Sequence, residues 1–387
     1  MMKGMNGSGM SDGVTLEGGS WWEPADARLD DRYEEALAAA GDVGAALDLA
    51  RRLGESVPRP GSGETVRYFE TLATLAAADV TVARVVEPHL DALAILDECP
   101  VPVDLAAVGA GSDSTWGVFA AEGPGVRLEA TAIEEAGEET WLLDGTKPWC
   151  SLAGVLSHAL VTAHVGAERR LFAVALRQPG VTAHAEAWVA RGFPDVPSGP
   201  TDFSQVAAVP VGDPGWYLAR PGFEWGGIGV AACWFGSAVG VARRVIDAAS
   251  KRDDDLSALH AGRAATALAS AHAVLASAAR TIDRSDSDVA ERGAAAGAPR
   301  AVGIAICSGD ASRDARERAL LAQVCRSVVR RVCDDVLREA AHALGPAPLA
   351  LDAAYAARVA DLSLYLLQDH GDRDEARTGR MLVEALR

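Results

Sequence analysis

The hydrophobic period of this chain changes twice. From Pro24 to about Glu98 the apolar positions recur at helical spacing. Within that stretch Arg32 to Arg52 is rich in Ala and Leu, and Gly41-Asp42 places a break inside it. Pro58 to Gly63 forms a loop, and Glu64 to Leu96 returns to helical spacing, with Thr81 expected to cap a boundary. After Pro100-Val101-Pro102 the texture changes. From Trp116 to about Val211 short apolar runs alternate with Gly, Pro and Asp turns. The runs are Gly117 to Ala120, Val126 to Ala132, Thr140 to Leu143, Ala159 to Ala163, Leu171 to Leu176, Val181 to Trp188 and Asp202 to Val209. Several alternate apolar and polar, as strands with one wet face do, and together they predict a small antiparallel barrel or sandwich. Near Pro221-Gly222 the helical period returns. Trp225 to Ser250, Leu256 to Asp283, Ala311 to Leu344 and Leu351 to Gln368 are amphipathic and Ala-rich, with a polar loop over Ser285 to Pro299. Four such helices predict an up-down bundle.

The expected fold is therefore α+β, in the order N-terminal helical domain (21–115), central antiparallel β-barrel or sandwich (116–215) and C-terminal four-helix bundle (222–387). Met1 to Gly18 is rich in Gly, Ser and Met without an apolar core, so residues 1–20 are expected to be a disordered leader, neither signal nor anchor. No stretch is expected to span a membrane without charge.

Charge narrows the partners. With 54 acidic against 36 basic residues the formal net charge is -18, which argues against a nucleic-acid backbone or an anionic membrane. An anionic small ligand in a locally basic pocket stays compatible. The six cysteines, Cys99, Cys150, Cys233, Cys307, Cys325 and Cys333, form no CxxC pair and lie mostly in apolar helical sequence. They predict buried free thiols of a cytoplasmic protein, with no disulfide frame and no metal site.

The densest candidate chemistry lies in Leu143-Asp144-Gly145-Thr146-Lys147-Pro148-Trp149-Cys150-Ser151. An Asp-Gly turn signal leads into a strand end with a large aromatic and, two residues on, a hydroxyl. On an extended chain that spacing points Trp149 and Ser151 to one side. A flat ring beside a hydroxyl suits a planar heterocycle. The same residues equally describe a hairpin with a half-buried Trp.

These residues and the order of the elements resemble the acyl-CoA dehydrogenase family from about Trp21 to the C-terminus. Leu143 to Ser151 is similar to that family's LxGxKxW(I)(T/S) strand, Thr201 to Pro210 to its FxxVxVP strand, and Gly226 to Asp247 to its first bundle helix. The resemblance implies FAD as cofactor, with Trp149 beside the flavin ring and Ser151 at its edge. It implies an acyl thioester such as an acyl-CoA as substrate, an electron-transfer flavoprotein as acceptor, and a homodimer or homotetramer. The chemistry so implied is α,β-dehydrogenation, with hydride passing to flavin N5. A flavin-dependent monooxygenase of the same fold and a degenerate, non-catalytic member are the alternatives.

The departures from the family pattern are specific. In place of TEPxxGSD stands Ala120-Ala121-Glu122-Gly123-Pro124-Gly125, leaving backbone N–H groups at Ala121 and Glu122 as cofactor donors; Gly111-Ser112-Asp113 lies upstream and is set aside. The family's GGxG becomes Gly345-Pro346-Ala347-Pro348. Matching the C-terminal stretch without gaps, from Gly345 through Asp361, puts Asp369 where the family has its catalytic Glu. His370 is a second candidate, in keeping with the monooxygenase branch. Both also fit a solvated helix end. Arg252, with Lys251, or Arg263 would match the place where a neighbouring subunit reaches the flavin pyrophosphate; a solvated turn describes them equally well. Arg84 and Glu87 are spaced for an ion pair. His89 and Asp91 either border the substrate cleft or belong to a salt-bridged face.

Overall fold

A computed structural model describes residues 11–135, 138–252, 254–295 and 311–385. The first ten residues of the expected leader, residues 296–299 of the expected polar loop, and Cys307 lie outside the described residues.

The N-terminal part contains α1 (Ala27–Ala39), α2 (Val43–Ser56), α3 (Thr65–Ala78) and α4 (Val80–Glu98). Aspartates set three of their starts: the side chains of Asp26, Asp42 and Asp79 accept from the N–H groups of Leu29, Ala45 and Val82. Each satisfies a first-turn donor that the helix itself leaves unpaired. The α3–α4 boundary is thus capped by Asp79, not by Thr81, whose hydroxyl donates instead to Asp361 at 3.1 Å.

Seven strands follow: β1 (Trp116–Phe119), β2 (Leu128–Glu135), β3 (Glu138–Lys147), β4 (His158–Val165), β5 (Glu168–Ala175), β6 (Val181–Ala183) and β7 (Thr201–Val211). Antiparallel pairings link β2 to β3, β3 to β7, β7 to β5 and β5 to β4, and a parallel contact at Glu129 and His164 joins β2 to β4. The ring is therefore closed, which leaves no bare edge among those five strands. β1 adds to β4 in parallel and β6 to β7 antiparallel. The predicted Val181 to Trp188 strand stops at Ala183 and continues as a short 3-10 turn. Gly145 sits at a bulge in β3 with φ 120°, where a Cβ would lie 2.2 Å from the Arg127 carbonyl oxygen. Only glycine fits there.

After a one-turn helix, α5 (Trp216–Ala219), come α6 (Pro221–Arg252), α7 (Asp255–Ala295), α8 (Ala311–Leu344), α9 (Ala347–Leu351), α10 (Ala353–Tyr365) and α11 (Asp372–Ala385). The expected loop from Ser285 is helical as far as Ala295, and α11 extends the predicted four-helix set. The expectation that no stretch could span a membrane is also corrected. α6 is long and apolar enough by composition, but 89% of that window is buried inside the protein. It is the central helix. Gly236 lets it approach α3 so closely that a Cβ there would lie 1.9 Å from the Ala73 carbonyl oxygen. One hydrophobic core joins α3, α6, α7, α8, α10 and the inner face of the barrel.

Candidate functional site

β3 carries its last residue, Lys147, into the barrel wall. The ammonium is nearly fully buried and donates to Glu122 Oε1 at 2.7 Å and Thr162 Oγ1 at 2.8 Å. Burial lowers the Lys147 pKa, and the Glu122 carboxylate partly restores it. Glu122 also meets His164 Nε2 at 3.3 Å and Arg169 at 3.7 Å. Burial works against its ionisation, but the Lys147 hydrogen bond and charge outweigh it, so the carboxyl titrates below its usual value. The Glu122 side chain is thereby spent on the barrel, and Ala121 sits beside it on the strand-end loop.

Beyond Lys147 the chain leaves the strand. Trp149 has φ 60° and Leu152 φ 58°, so the turn is left-handed at two non-glycine residues. The two-residue alternation expected of an extended chain does not apply here. Trp149 projects its indole outward, 60% exposed, while Cys150 is buried. The loop is fixed by its backbone: Cys150 N–H donates to Gly199 O and Leu152 N–H to Pro197 O, each at 2.9 Å.

Ser151 sits in a directed hydrogen-bond chain. Arg84 Nη2 donates to Ser151 Oγ at 3.0 Å, Ser151 and Ser198 hydroxyls are 2.8 Å apart, and Ser198 donates to Val196 O at 3.1 Å. Because Ser198 has one proton and gives it to Val196, the Ser151 hydroxyl is the donor between the two. Arg84 also stacks over the Tyr365 ring at 5.6 Å and stands 3.7 Å from Glu87. Burial first, then the neighbouring Asp91 carboxylate, raise the Glu87 carboxyl to about 7, against the opposing charges of Arg84 and Arg326. Sequence spacing found the Arg84–Glu87 pair. It could not find Ser151 as its partner, 67 residues away.

His89 and Asp91 have partners outside the Arg84–Ser151 chain. His89 Nδ1 accepts from Trp116 N–H at 3.2 Å and ties α4 to β1. Burial, with help from Arg59 and Arg51, lowers its pKa to about 4, so it stays neutral. Asp91 pairs with Arg220 at 3.7 Å, and burial raises its pKa.

Asp369 lies one turn beyond Tyr365, with its side chain enclosed. Its Oδ1 accepts from Gly371 N–H at 2.8 Å and lies 3.3 Å from Arg330 Nε, while Oδ2 has no hydrogen-bond partner. Arg330 also meets Asp334 at 2.8 Å and Glu375 at 3.1 Å. His370 is exposed and meets Asp374 at 3.3 Å. Asp369 and His370 share a cavity of about 440 Å³ with Arg330, Asp334, Ser363 and Leu366. One turn back along α8, Arg326 donates to Gly227 O at 2.7 Å and stacks on Trp234 at 4.7 Å.

Arg252, Arg263 and Gly345 gather at the opposite end of the bundle. Arg252 donates to Ala343 O at 2.8 Å, Arg263 stands 3.7 Å from Glu339, which His260 meets at 2.7 Å, and Gly345 ends α8 with φ 68°. Arg252 is roughly 28 Å along α6 from Cys233, whose thiol lies within reach of Glu87, Tyr365 and Arg84, at about 1.5 Å per residue. One chain does not bring these three to Trp149.

Trp149 leaves a large flat indole out of the core, and two residues on Ser151 is bonded to the Arg84 guanidinium and the Ser198 hydroxyl, a donor and acceptor set that suits the polar edge of a flavin. No protein-family model matches the sequence, and no curated protein matches it. Solved structures do match. TdsC from Paenibacillus sp. A11-2, solved with FMN and indole, is 16% identical over 93% of this chain and 98% of its own, with a TM-score of 0.74. KijD3 in complex with FMN and dTDP-3-amino-2,3,6-trideoxy-4-keto-3-methyl-D-glucose is 17% identical over 93% of each chain, with a TM-score of 0.72. A nitrososynthase from Micromonospora carbonacea var. africana is 17% identical over 93% of this chain and 95% of its own, with a TM-score of 0.71. At such identities the likeness shows the fold, which is of the acyl-CoA dehydrogenase type.

Proposed function

We propose that this chain is a flavin-dependent monooxygenase that uses reduced FMN and dioxygen to oxidise a small organic substrate. The observation that carries this reading is the fold likeness over 93% of the chain to proteins solved with FMN. The exposed Trp149 beside the Arg84–Ser151 pair supports it. Trp149 would stack on the flavin ring, Arg84 and Ser151 would serve its polar edge, and the Ala121–Glu122 backbone would close the rim. Bound reduced flavin would supply the two electrons with which dioxygen gives one atom to the substrate and the other to water. The chain's own part is to orient the ring, to hold positive charge at Arg84 where negative charge develops, and to exclude water with the Phe193–Tyr365–Trp234 aromatic cluster.

The separation of Arg252, Arg263 and Gly345 from Trp149 favours a mononucleotide over FAD within one protomer. FAD would need those residues from a neighbouring subunit, so FAD binding would require the dimer or tetramer. The buried α6 and the buried thiols among the described cysteines support a soluble protein of a reducing compartment.

Dehydrogenation of an acyl thioester, with an electron-transfer flavoprotein as acceptor, is the second reading. One observation favours it: Asp369 lines a cavity and has a carboxylate oxygen that accepts no hydrogen bond. Anaerobic mixing with acyl-CoAs separates the two. Bleaching of bound oxidised flavin by an acyl-CoA would support dehydrogenation. No such bleaching, together with oxidation of reduced FMN by dioxygen that the protein accelerates in a separate aerobic assay, supports the monooxygenase. Failure of the chain to bind either flavin would sink both and leave a non-catalytic relative.

A further inference from the structure

A pair of serines on two loops, a guanidinium and a buried carboxyl form one line from the protein surface to the centre of the helical core. Ser151, two residues after the exposed Trp149, bonds Ser198 at 2.8 Å, Arg84 donates to Ser151 at 3.0 Å, and Glu87 is 3.7 Å from the other Arg84 nitrogen. The last distance is an ion-pair separation too long for a hydrogen bond. Arg84 is therefore held firmly on the serine side and loosely on the carboxyl side. Pro88, four residues after Arg84, has no N–H for the Arg84 carbonyl, which loosens α4 at this turn. We propose that Glu87 is a positioning residue for the Trp149–Ser151 site: its ionisation draws Arg84 inward, weakens the Arg84–Ser151 bond and leaves the Ser151 lone pair that Arg84 occupied open to a ligand that donates. The flavin as that ligand rests on the function proposed above. The coupling of Glu87 to Ser151 does not.

The hydroxyl directions give the proposal its consequence. With Arg84 donating and Ser198 accepting, Ser151 has its proton committed and offers a ligand only a lone pair. If Arg84 swings toward an ionised Glu87, the Ser151 proton stays with Ser198 and a second Ser151 lone pair opens, so the site gains an acceptor.

The groups facing Glu87 leave it as the one that switches. Arg84 and Asp91 share α4 with it, Arg326 faces it from α8, Cys233 from α6, Tyr68 from α3, Tyr217 from α5 and Tyr365 from α10. Burial pushes the three tyrosines and the thiol upward, so they stay neutral through the physiological range. Asp91 is raised by burial but held down by Arg220, which also binds Glu98 at 2.5 Å.

Two measurements on the full chain test this. The first needs no ligand: thermal unfolding of wild type, Glu87→Gln, Ser151→Ala and the double variant at pH 5.5 and pH 8. Ser151→Ala should lower the midpoint equally in both backgrounds at pH 5.5, where Glu87 is protonated, and unequally at pH 8. Equal effects at both pH values would overturn the coupling. Arg84→Lys is the control against misfolding; it keeps the charge, loses the two-sided geometry and should abolish the inequality. The second is the affinity for FMN across the same range. Wild type should change at least threefold more than Glu87→Gln, whose residual change is that of the FMN phosphate titrating near pH ~6; an equal pH dependence in both overturns the role at the site. Absence of FMN binding at every pH would remove the flavin reading alone, since the unfolding cycle still decides the Glu87–Ser151 link.

Discussion

Arg84 shows how much of this site depends on single polar atoms. Its guanidinium is partly buried, bonded to one hydroxyl and within ion-pair distance of one carboxyl. Ser151→Ala removes one charge-assisted hydrogen bond, worth about 1.5 kcal/mol, and should weaken reduced FMN binding about tenfold in an equilibrium titration while leaving the fold intact. Glu87 adds a pH dependence whose sign is fixed. Its folded pKa of about 7 lies above the 4.5 of an ordinary Glu, so the folded state holds the proton longer, and stability falls as pH rises from about 4.5 to about 7 and levels off above that. Glu87→Gln should therefore gain stability over wild type at pH 8 and match it at pH 5, measured by denaturant unfolding. Asp369 discriminates between the two chemistries. Arg330 keeps Asp334 and Glu375 if Asp369 becomes Asn, so the fold should survive with a loss of about 1–2 kcal/mol. Oxygen-dependent turnover should then stay within about tenfold of wild type; a loss of a hundredfold or more would restore Asp369 as a base. Little of this was legible beforehand. The Arg84–Glu87 spacing was, because helical neighbours are a matter of period. The left-handed Trp149 and the Ser151–Arg84 bond were not, because a positive φ at a non-glycine residue and a contact across 67 positions leave no local trace.

At the scale of elements the hydrophobic period predicted most of what forms. The break at Gly41-Asp42 became an Asp-capped helix start, and the seven β runs became seven strands. α11 was missed because half of Asp372 to Ala385 is charged, its Leu382 and Val383 are exposed, and it is tied to α8 through Glu375 pairing with Arg330 and Arg331. The loop predicted from Ser285 was misjudged because its Ala and charged residues suit a helix as well as a turn. Two elements carry predictions. Gly236→Ala places a Cβ against the Ala73 carbonyl and should cost about 3 kcal/mol by forcing α3 and α6 apart, read from the denaturant midpoint. In the barrel, Glu122→Ala strands the buried Lys147 ammonium with Thr162 alone. The expected loss is about 2 kcal/mol, kept below the usual cost of breaking a buried pair because Glu122 is itself more than a third exposed. Lys147→Met should be milder, since it removes the charge along with its partner's duty.

For the molecule as a whole, the order of helices, closed barrel and helices was readable from the sequence, and the fold likeness agrees with it. The chemistry was less readable, because the same architecture holds a flavin for more than one reaction and the deciding groups lie on loops and helix faces that meet only after folding. The central claim is that the surface around Trp149 is a flavin site. Its most direct test is an anaerobic titration of the full chain with reduced FMN, followed by quenching of protein fluorescence, in wild type and in Trp149→Ala. Saturable binding in wild type that weakens at least tenfold in Trp149→Ala, with unchanged unfolding of the variant, is the predicted result. Binding of equal strength in both proteins, or none in either, would contradict it.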